Sequence, residues 1–407
     1  MSASIRSVRS AFAAVLAAAI PACAAEDTIS ARHIGDLPEL ALEEEIRIGS
    51  LDDPEVGFTS IGDVWVSPSG QVYVAETREL EIRVYGTDGM LLRTYGREGD
   101  GPGEFRAIGG FGVVGDTLWV SDGRLHRTTL FALDGQVLAT VTALLEVPIG
   151  EEFGRPLTVS VFPHALRSDG LIESIFVRAS RANLPDSVAE VPKVRFDMNG
   201  EVVDTLEMVR TRVSRTARVL QLGNTRTFIY PDPPASDSGT YQVQLDSGSF
   251  AVHWTVDGSP ASGSLVAVHR TSAGDTTLTS LSYDPRPVTE KYLDSLAASR
   301  ARGRRSRSDS LTLVEAYRSA TQLPPHHRPV WPPITVGDRS VWIRLDPGVA
   351  VADRWLVFGE EGQVLGTLSL GPGVFPKWSR QDNVWLVERD SFDVPWLVRY
   401  RILPPGN

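Results

Sequence analysis

Cysteine is almost missing from this 407-residue chain: Cys23 is the single one. A disulfide framework and a thiolate metal site are thereby excluded, so stability has to come from packing. Lysine is nearly as scarce, with only Lys193, Lys291 and Lys377, so almost all positive charge is arginine and a Schiff-base lysine is not expected. Positive charge is short overall: the formal net charge is −11, and two units more negative without Arg6 and Arg9. Such a chain lacks the basic face that phosphate backbones demand, which removes nucleic acid from the expected partners. Signature motifs are absent too. There is no H-E-x-x-H, G-x-S-x-G or P-loop and no EF-hand spacing of carboxylates, so no metal and no cofactor is expected. Gly99-x-Gly101-x-Gly103 imitates a phosphate-binding loop, but a strand follows it, and without a helix N-terminus that argument fails.

What is present begins with a leader. Arg6 and Arg9 precede an apolar run at 11–20 that is too short to span a membrane, and small residues follow around Ala22-Cys23-Ala24-Ala25, the pattern of an export signal. Ile20-Pro21-Ala22-Cys23 resembles a bacterial lipobox, in which the cysteine is lipidated and becomes the first mature residue. Pro21 departs from the small residue usual there, and plain cleavage after Ala24 is the other reading. Residues 1–24 are assigned as a signal peptide, 25–42 as a polar tether, and 43–407 as one domain. With 42% apolar and 22% charged residues the chain can bury a real core. Closed all-β folds routinely use this length for one domain.

The domain is organised by a repeat. Residues 71–95 and 117–141 carry the same pattern at an offset of 46 without a gap, placing Val74 on Val120, Arg78 on Arg124, Asp88-Gly89 on Asp134-Gly135, Leu92 on Leu138 and Thr94 on Thr140. Each copy alternates apolar and polar residues like a strand, so the unit is a small antiparallel sheet. Between the copies runs the glycine-rich connector 96–105. That connector ends in Gly103-Glu104-Phe105, a strand then closes on Val120-Ser121-Asp122, and Leu125-His126-Arg127 leads into Leu130-Phe131 and an Asp-Gly turn. Over residues 60–141 this resembles the NHL-repeat β-propellers of exported bacterial proteins. Leu125 stands where an asparagine usually precedes the His-Arg pair, and the first copy lacks the pair.

Further copies are traced from Ser160 through 172–177, 194–196 and 202–206; from 241–245 through 250–254, 265–269 and 276–281; and from 334–336 through 341–343, 355–358 and 364–368. A sixth supplies 384–387 and 397–402 and is one strand short. The isolated alternating segment Glu45-Ile46-Arg47-Ile48-Gly49 can make up the deficit and close the ring, removing two sheet edges. The expected fold is therefore all-β: a six-bladed β-propeller of four-stranded antiparallel blades, the N-terminal strand completing the last. A helical insert at 284–333 separates blades four and five, with Thr289 capping one helix and a second at 310–320.

In such a blade the turns between strands one and two and between three and four share one face, and all other connections share the opposite one. The first set is uniformly short, and the second holds every long segment. Binding residues favour loops on rigid scaffolds, so the long-loop face and the channel mouth are the expected site. Candidates there are Arg78 and Arg124, each two residues beyond a strand-ending acid (Glu76, Asp122) and read first as a repeated structural salt bridge between blades. His164 is placed on an inner strand facing the channel. The arginine run at 300–307, including Arg304 and Arg305, could meet an anionic partner or be a solvated loop. His326-His327 point apart on an extended segment and make a poor chelate. Function divides between a monomeric binding scaffold for an envelope protein or small ligand, attached to the membrane only through Cys23, and a metal-dependent propeller hydrolase or lyase of lactonase or amidating-lyase kind. A structural envelope-assembly protein is a third reading.

Overall fold

The computed structural model describes residues 32–403 except 52, 54–55, 153–154, 175, 180–187, 213–217, 223–224, 230–237, 246–247, 259, 272, 302–310, 313, 316–325, 332–333, 337–339, 347–352 and 381. The signal peptide, Cys23, Arg304 and Arg305 lie outside the described residues.

Six sheets form the ring. Blade one is Ile61–Val66, Val72–Glu76, Glu81–Tyr85 and Leu91–Tyr95; blade two is Gly110–Val114, Thr117–Asp122, Arg127–Ala132 and Val137–Thr142. Both follow the repeat strand for strand. Their three–four turns place Gly89 at φ +81° and Gly135 at φ +103°, a region open to glycine at little cost. Blades four and five also match expectation, the former as Ser238–Leu245, Gly248–Asp257, Ser262–Thr271 and Thr276–Tyr283, the latter as Ile334–Val336, Ser340–Arg344, Asp353–Phe358 and Val364–Leu370. Apolar clusters fill the layers between neighbouring blades: Tyr73, Ile82, Phe105, Leu118 and Phe131 join one to two, and Val64, Val74, Trp378, Trp385 and Leu397 join six to one.

Blade three differs from its sequence reading. Ser160 belongs to Arg155–Phe162, which forms a separate three-stranded sheet with Leu145–Glu152 and Phe176–Ala179. The inner strand of the blade is only Ala165–Leu166. After Ile172–Glu173 the chain switches to the accessory sheet before returning as Val188–Phe196 and Val202–Arg212. In blade six the inner strand is Phe375–Arg380, which the sequence reading does not trace; it contains Pro376. An innermost strand is an edge facing the channel, where a missing amide donor is tolerated.

Ring closure is made as expected. Ala41–Ile48 pairs antiparallel with Pro395–Leu403, from Ala41↔Leu403 to Ile48↔Leu397, and Ile48 is 2% exposed. Its register is set by charge: Glu43 pairs with Arg401, Glu45 with Arg399 at 3.0 Å, and Arg47 with Glu388 at 3.0 Å. Within the segment expected as a tether, Arg32–His33 adds a parallel fifth strand to Thr276–Tyr283 of blade four, and Glu39 bridges to Thr367 of blade five. Ile34, Leu37 and Leu40 are buried, so residues 32–48 run as a strap around the outer edges of three successive blades.

The insert carries the helix Glu290–Ala301, its Tyr292 amide donating to the Thr289 hydroxyl at 3.2 Å. Leu311, Thr312, Val314 and Glu315 are helical; the rest of 310–320 lies outside the described residues.

Candidate functional site

The strand order puts the accessory sheet, the hairpin Arg218–Leu222/Thr225–Ile229 and the helical insert on the long-loop face. That face stands on buried acids. Glu76, fully buried, accepts from the amides of Thr59 and Ser60 at 2.8 Å and of Arg78 at 3.2 Å. Its repeat partner Asp122 accepts from Arg106 (2.7 Å), Ala107 (3.3 Å), Arg124 (2.8 Å) and Leu125 (3.0 Å). Each carboxylate thus pins the chain entering a blade to the turn after its second strand. The acids do not form the interblade salt bridge with Arg78 and Arg124: what they hold is backbone. Both arginine side chains are left exposed.

Two other arginines do the fastening. Arg127 donates to the carbonyls of Asp100 (2.9 Å), Gly101 (2.7 Å) and Glu104 (2.7 Å), clamping the glycine-rich connector. Glu81 occupies the Arg127 position in the first repeat, and there Arg83, 7% exposed and paired with Glu81 at 2.6 Å, reaches the Gly57 carbonyl at 2.6 Å. The connector is already satisfied internally. The Glu104 carboxylate takes the Gly101 amide at 2.8 Å and Arg97 at 2.7 Å, which together hold its carboxyl below the usual range. A phosphate would have to displace it.

Where blades six and one meet, this face opens into a cavity of about 750 Å³ lined by Phe58, Ser60, Arg78, Arg389, Asp393 and Pro395 among others. Arg389 is held by the Asp393 carbonyl at 2.7 Å and its carboxylate at 3.4 Å. Arg78 has no charged partner among the described residues, which leaves its guanidinium available to the cavity. Arg124, on the equivalent turn of blade two, does not line it.

The channel holds a second constellation. His164 sits one residue ahead of the inner strand of blade three, half-buried, its Nδ1 at 3.3 Å from Ser121 Oγ of blade two. It leans over Gly110, where a Cβ would lie 3.1 Å from Nε2, so the glycine makes its room. Burial lowers its pKa, opposed by the Asp63 carboxylate of blade one. The same carboxylate acts on Lys377 of blade six, whose pKa is likewise lowered by burial. Asp63, His164 and Lys377 belong to blades one, three and six, and no ion pair or hydrogen bond joins them among the described residues. Sequence reasoning did not single out Asp63, the one charge of Ile61–Val66, or Lys377, one of two basic residues of Phe375–Arg380.

His327 is 6% exposed, with Nδ1 3.4 Å from Asp346 and its ring edge-on to Tyr292 at 4.4 Å. Burial and the neighbouring Arg286 lower its pKa. It serves to seat the insert on blade five. No group of three or more His, Cys, Asp or Glu that could hold a metal occurs among the described residues, and no helix there is long and apolar enough to cross a membrane.

Fold and side-chain geometry together define a six-bladed β-propeller elaborated on one face. No protein-family model and no curated protein matches the chain. Among solved structures it is similar to a Bacteroides fragilis protein described as exported, at 9% identity over 91% of this chain and 98% of that one, TM-score 0.44. It is also similar to virginiamycin B lyase from Staphylococcus aureus (11% identity, 90% and 100% covered, TM-score 0.36). A third is the PQQ-bound aldose sugar dehydrogenase of Streptomyces coelicolor (11% identity, 90% and 99% covered, TM-score 0.32). The blade order, not these likenesses, defines the fold.

Proposed function

We propose that this chain is an exported, NHL-like propeller that binds an envelope protein or a small ligand on its long-loop face. The observation that carries the reading is the 750 Å³ cavity on that face with the Arg78 guanidinium beside it. A cleft of that size suits a small ligand or an inserted side chain, and an arginine fork without an internal carboxylate suits an anionic group. Arg124, exposed on the equivalent turn of blade two, is a further candidate on the same face; Arg304 and Arg305 stay candidates from the sequence alone. Immobilised protein is challenged with an envelope extract. Bound species that disappear with Arg78→Ala, at an unchanged melting temperature, support the reading; the same species retained would overturn it.

Attachment through a lipid on Cys23 belongs to this proposal, the folded part acting as a monomer. In Cys23→Ser the protein leaves the membrane fraction if the lipid is its anchor. Unchanged membrane association sinks that reading.

The half-buried His164, beside Ser121 and Gly110 on the inner side of blade three, is the observation behind a second reading, chemistry in the channel. A metal-dependent hydrolase or lyase would bring stoichiometric metal with the purified protein, lost in His164→Ala. Metal that is absent, or retained in that variant, overturns it.

A further inference from the structure

A row of stacked side chains crosses blades four, five and six on the long-loop face, apart from the cavity at Arg78. The first strand of a blade begins on that face and the second ends there. Phe375 opens the first strand of blade six, Arg344 ends the second strand of blade five, and Arg328 and Trp331 lie in the segment that enters blade five. Rings and cations alternate along the row. The Arg328 guanidinium lies over the Trp331 ring at 4.2 Å, and that of Arg344 is 5.7 Å from the same ring and 5.6 Å from Phe375. At the blade-four end Arg328 donates to the Tyr241 hydroxyl at 2.8 Å.

The row is fixed from beneath. The Trp331 amide donates to the Arg344 carbonyl and the Asp346 amide to the Pro329 carbonyl, both at 2.8 Å, and Val330 between them is fully buried. Phe375 stands edge-on to the buried Trp355 at 6.3 Å. Even so, Trp331 and Phe375 are each 39% exposed, and Trp331 is the one exposed tryptophan of nine. A single exposed ring is ordinary; two in one row, with a guanidinium between them, form a surface with its own chemistry.

We propose that this row binds an acidic oligosaccharide, one whose pyranose rings carry carboxylates. Stacking covers the face of a guanidinium and leaves its in-plane N–H groups for an anion, in a fork that matches a carboxylate. The exposed parts of Trp331 and Phe375 offer flat apolar surface to the C–H face of a pyranose. A uronic acid presents that face and that charge on one rigid ring, so little rotamer freedom is lost on binding; an acidic peptide has to freeze a flexible side chain for every carboxylate. A neutral glycan leaves the arginines idle, and a small anion leaves the rings idle.

The full chain is titrated with tetramers of galacturonate and mannuronate, with maltotetraose as the neutral chain and tetraglutamate as the charged chain without rings. Binding is read by calorimetry and by acrylamide quenching of tryptophan fluorescence, to which the exposed Trp331 contributes most. A uronate tetramer binds and protects the fluorescence, the two control chains bind at least ~tenfold more weakly, and Trp331→Ala and Arg328→Gln each weaken the uronate by about tenfold or more. Arg78→Ala leaves that affinity unchanged, which separates this row from the cavity between blades six and one. The wild-type titrations test the idea without relying on any variant to fold. No binding of either uronate, tetraglutamate or maltotetraose bound as tightly, or uronate affinity kept in Trp331→Ala or lost in Arg78→Ala overturns it.

Discussion

The two faces of the propeller are built for different ends. The turns between strands one and two and between three and four are short and closed by glycines such as Gly89 and Gly135. The opposite face carries every long connection, and beneath them a floor of buried charge: Glu76 and Asp122 on backbone amides, Arg83 and Arg127 on backbone carbonyls. Long loops therefore need not mean loose ones. Once the floor is satisfied by backbone, the exposed arginines above it are released from structural duty. Substitutions should sort accordingly, with stability residing in the strap, the floor and the turns, and binding in Arg78 and its neighbours.

The largest effect is expected from the strap. Deleting residues 32–48 removes the outer strand of blade six, the parallel strand on blade four and the burial of Ile34, Leu37, Leu40 and Ile48. Four apolar side chains at about 1.5–3 kcal/mol each, together with a lost strand ladder, amount to most of the stability of an ordinary domain. The truncated chain should unfold or aggregate through its exposed edges. Chemical denaturation with an unchanged midpoint would show that neither face depends on the closure.

Next comes the floor. Asp122→Ala leaves four backbone amides of the long-loop face without their acceptor in a buried position and should cost about 2–4 kcal/mol. Asp122→Asn retains part of the acceptor and should cost less. Equal stability of wild type and Asp122→Ala would mean that water replaces the carboxylate and that the floor is not structural. On the opposite face, Gly89→Val forces a branched side chain into φ +81°. The expected cost is about 1–3 kcal/mol, measured by thermal melting, with binding unaffected.

How much of this could be read in the chain depended on whether the deciding property lay within one strand. Alternation in 71–95 and 117–141, with an Asp-Gly at each turn, defined blades one and two, and the surplus strand at Ile48 matched the deficit in blade six. The switch after Glu173 was hidden, because Ile172–Glu173 and Phe176–Ala179 read as one strand although they pair in different sheets. The inner strand Phe375–Arg380 carries Pro376 and two basic residues and shows no clear alternation of apolar and polar residues. Arg78 and Arg124 were visible, but their acids were assigned to the wrong partner: a carboxylate satisfied by amides looks the same in sequence as one paired with a guanidinium.

Acid distinguishes the buried histidines from the exposed rim. His164 and His327 both have lowered pKa values in the folded chain, chiefly through burial. The unfolded chain therefore binds protons first, and stability should fall as pH drops below about 6.5 toward the folded-state values, then level off. His164→Gln should flatten part of that slope. A slope as steep in a His164→Gln/His327→Gln double variant as in wild type would assign it to the carboxylates instead.

The smallest effect on stability is the most telling for function. Arg78 and Arg124 are exposed, and only their backbone amides hold the floor. Replacing either side chain by alanine keeps those amides and should change stability by less than about 0.5 kcal/mol. The two variants should nevertheless part company in binding, because Arg78 lines the cavity between blades six and one and Arg124 does not. Loss of a bound partner in Arg78→Ala but not in Arg124→Ala would locate recognition at the ring closure. Equal loss in both would spread it along the whole long-loop rim, and a drop in melting temperature in either would return the arginines to a structural role.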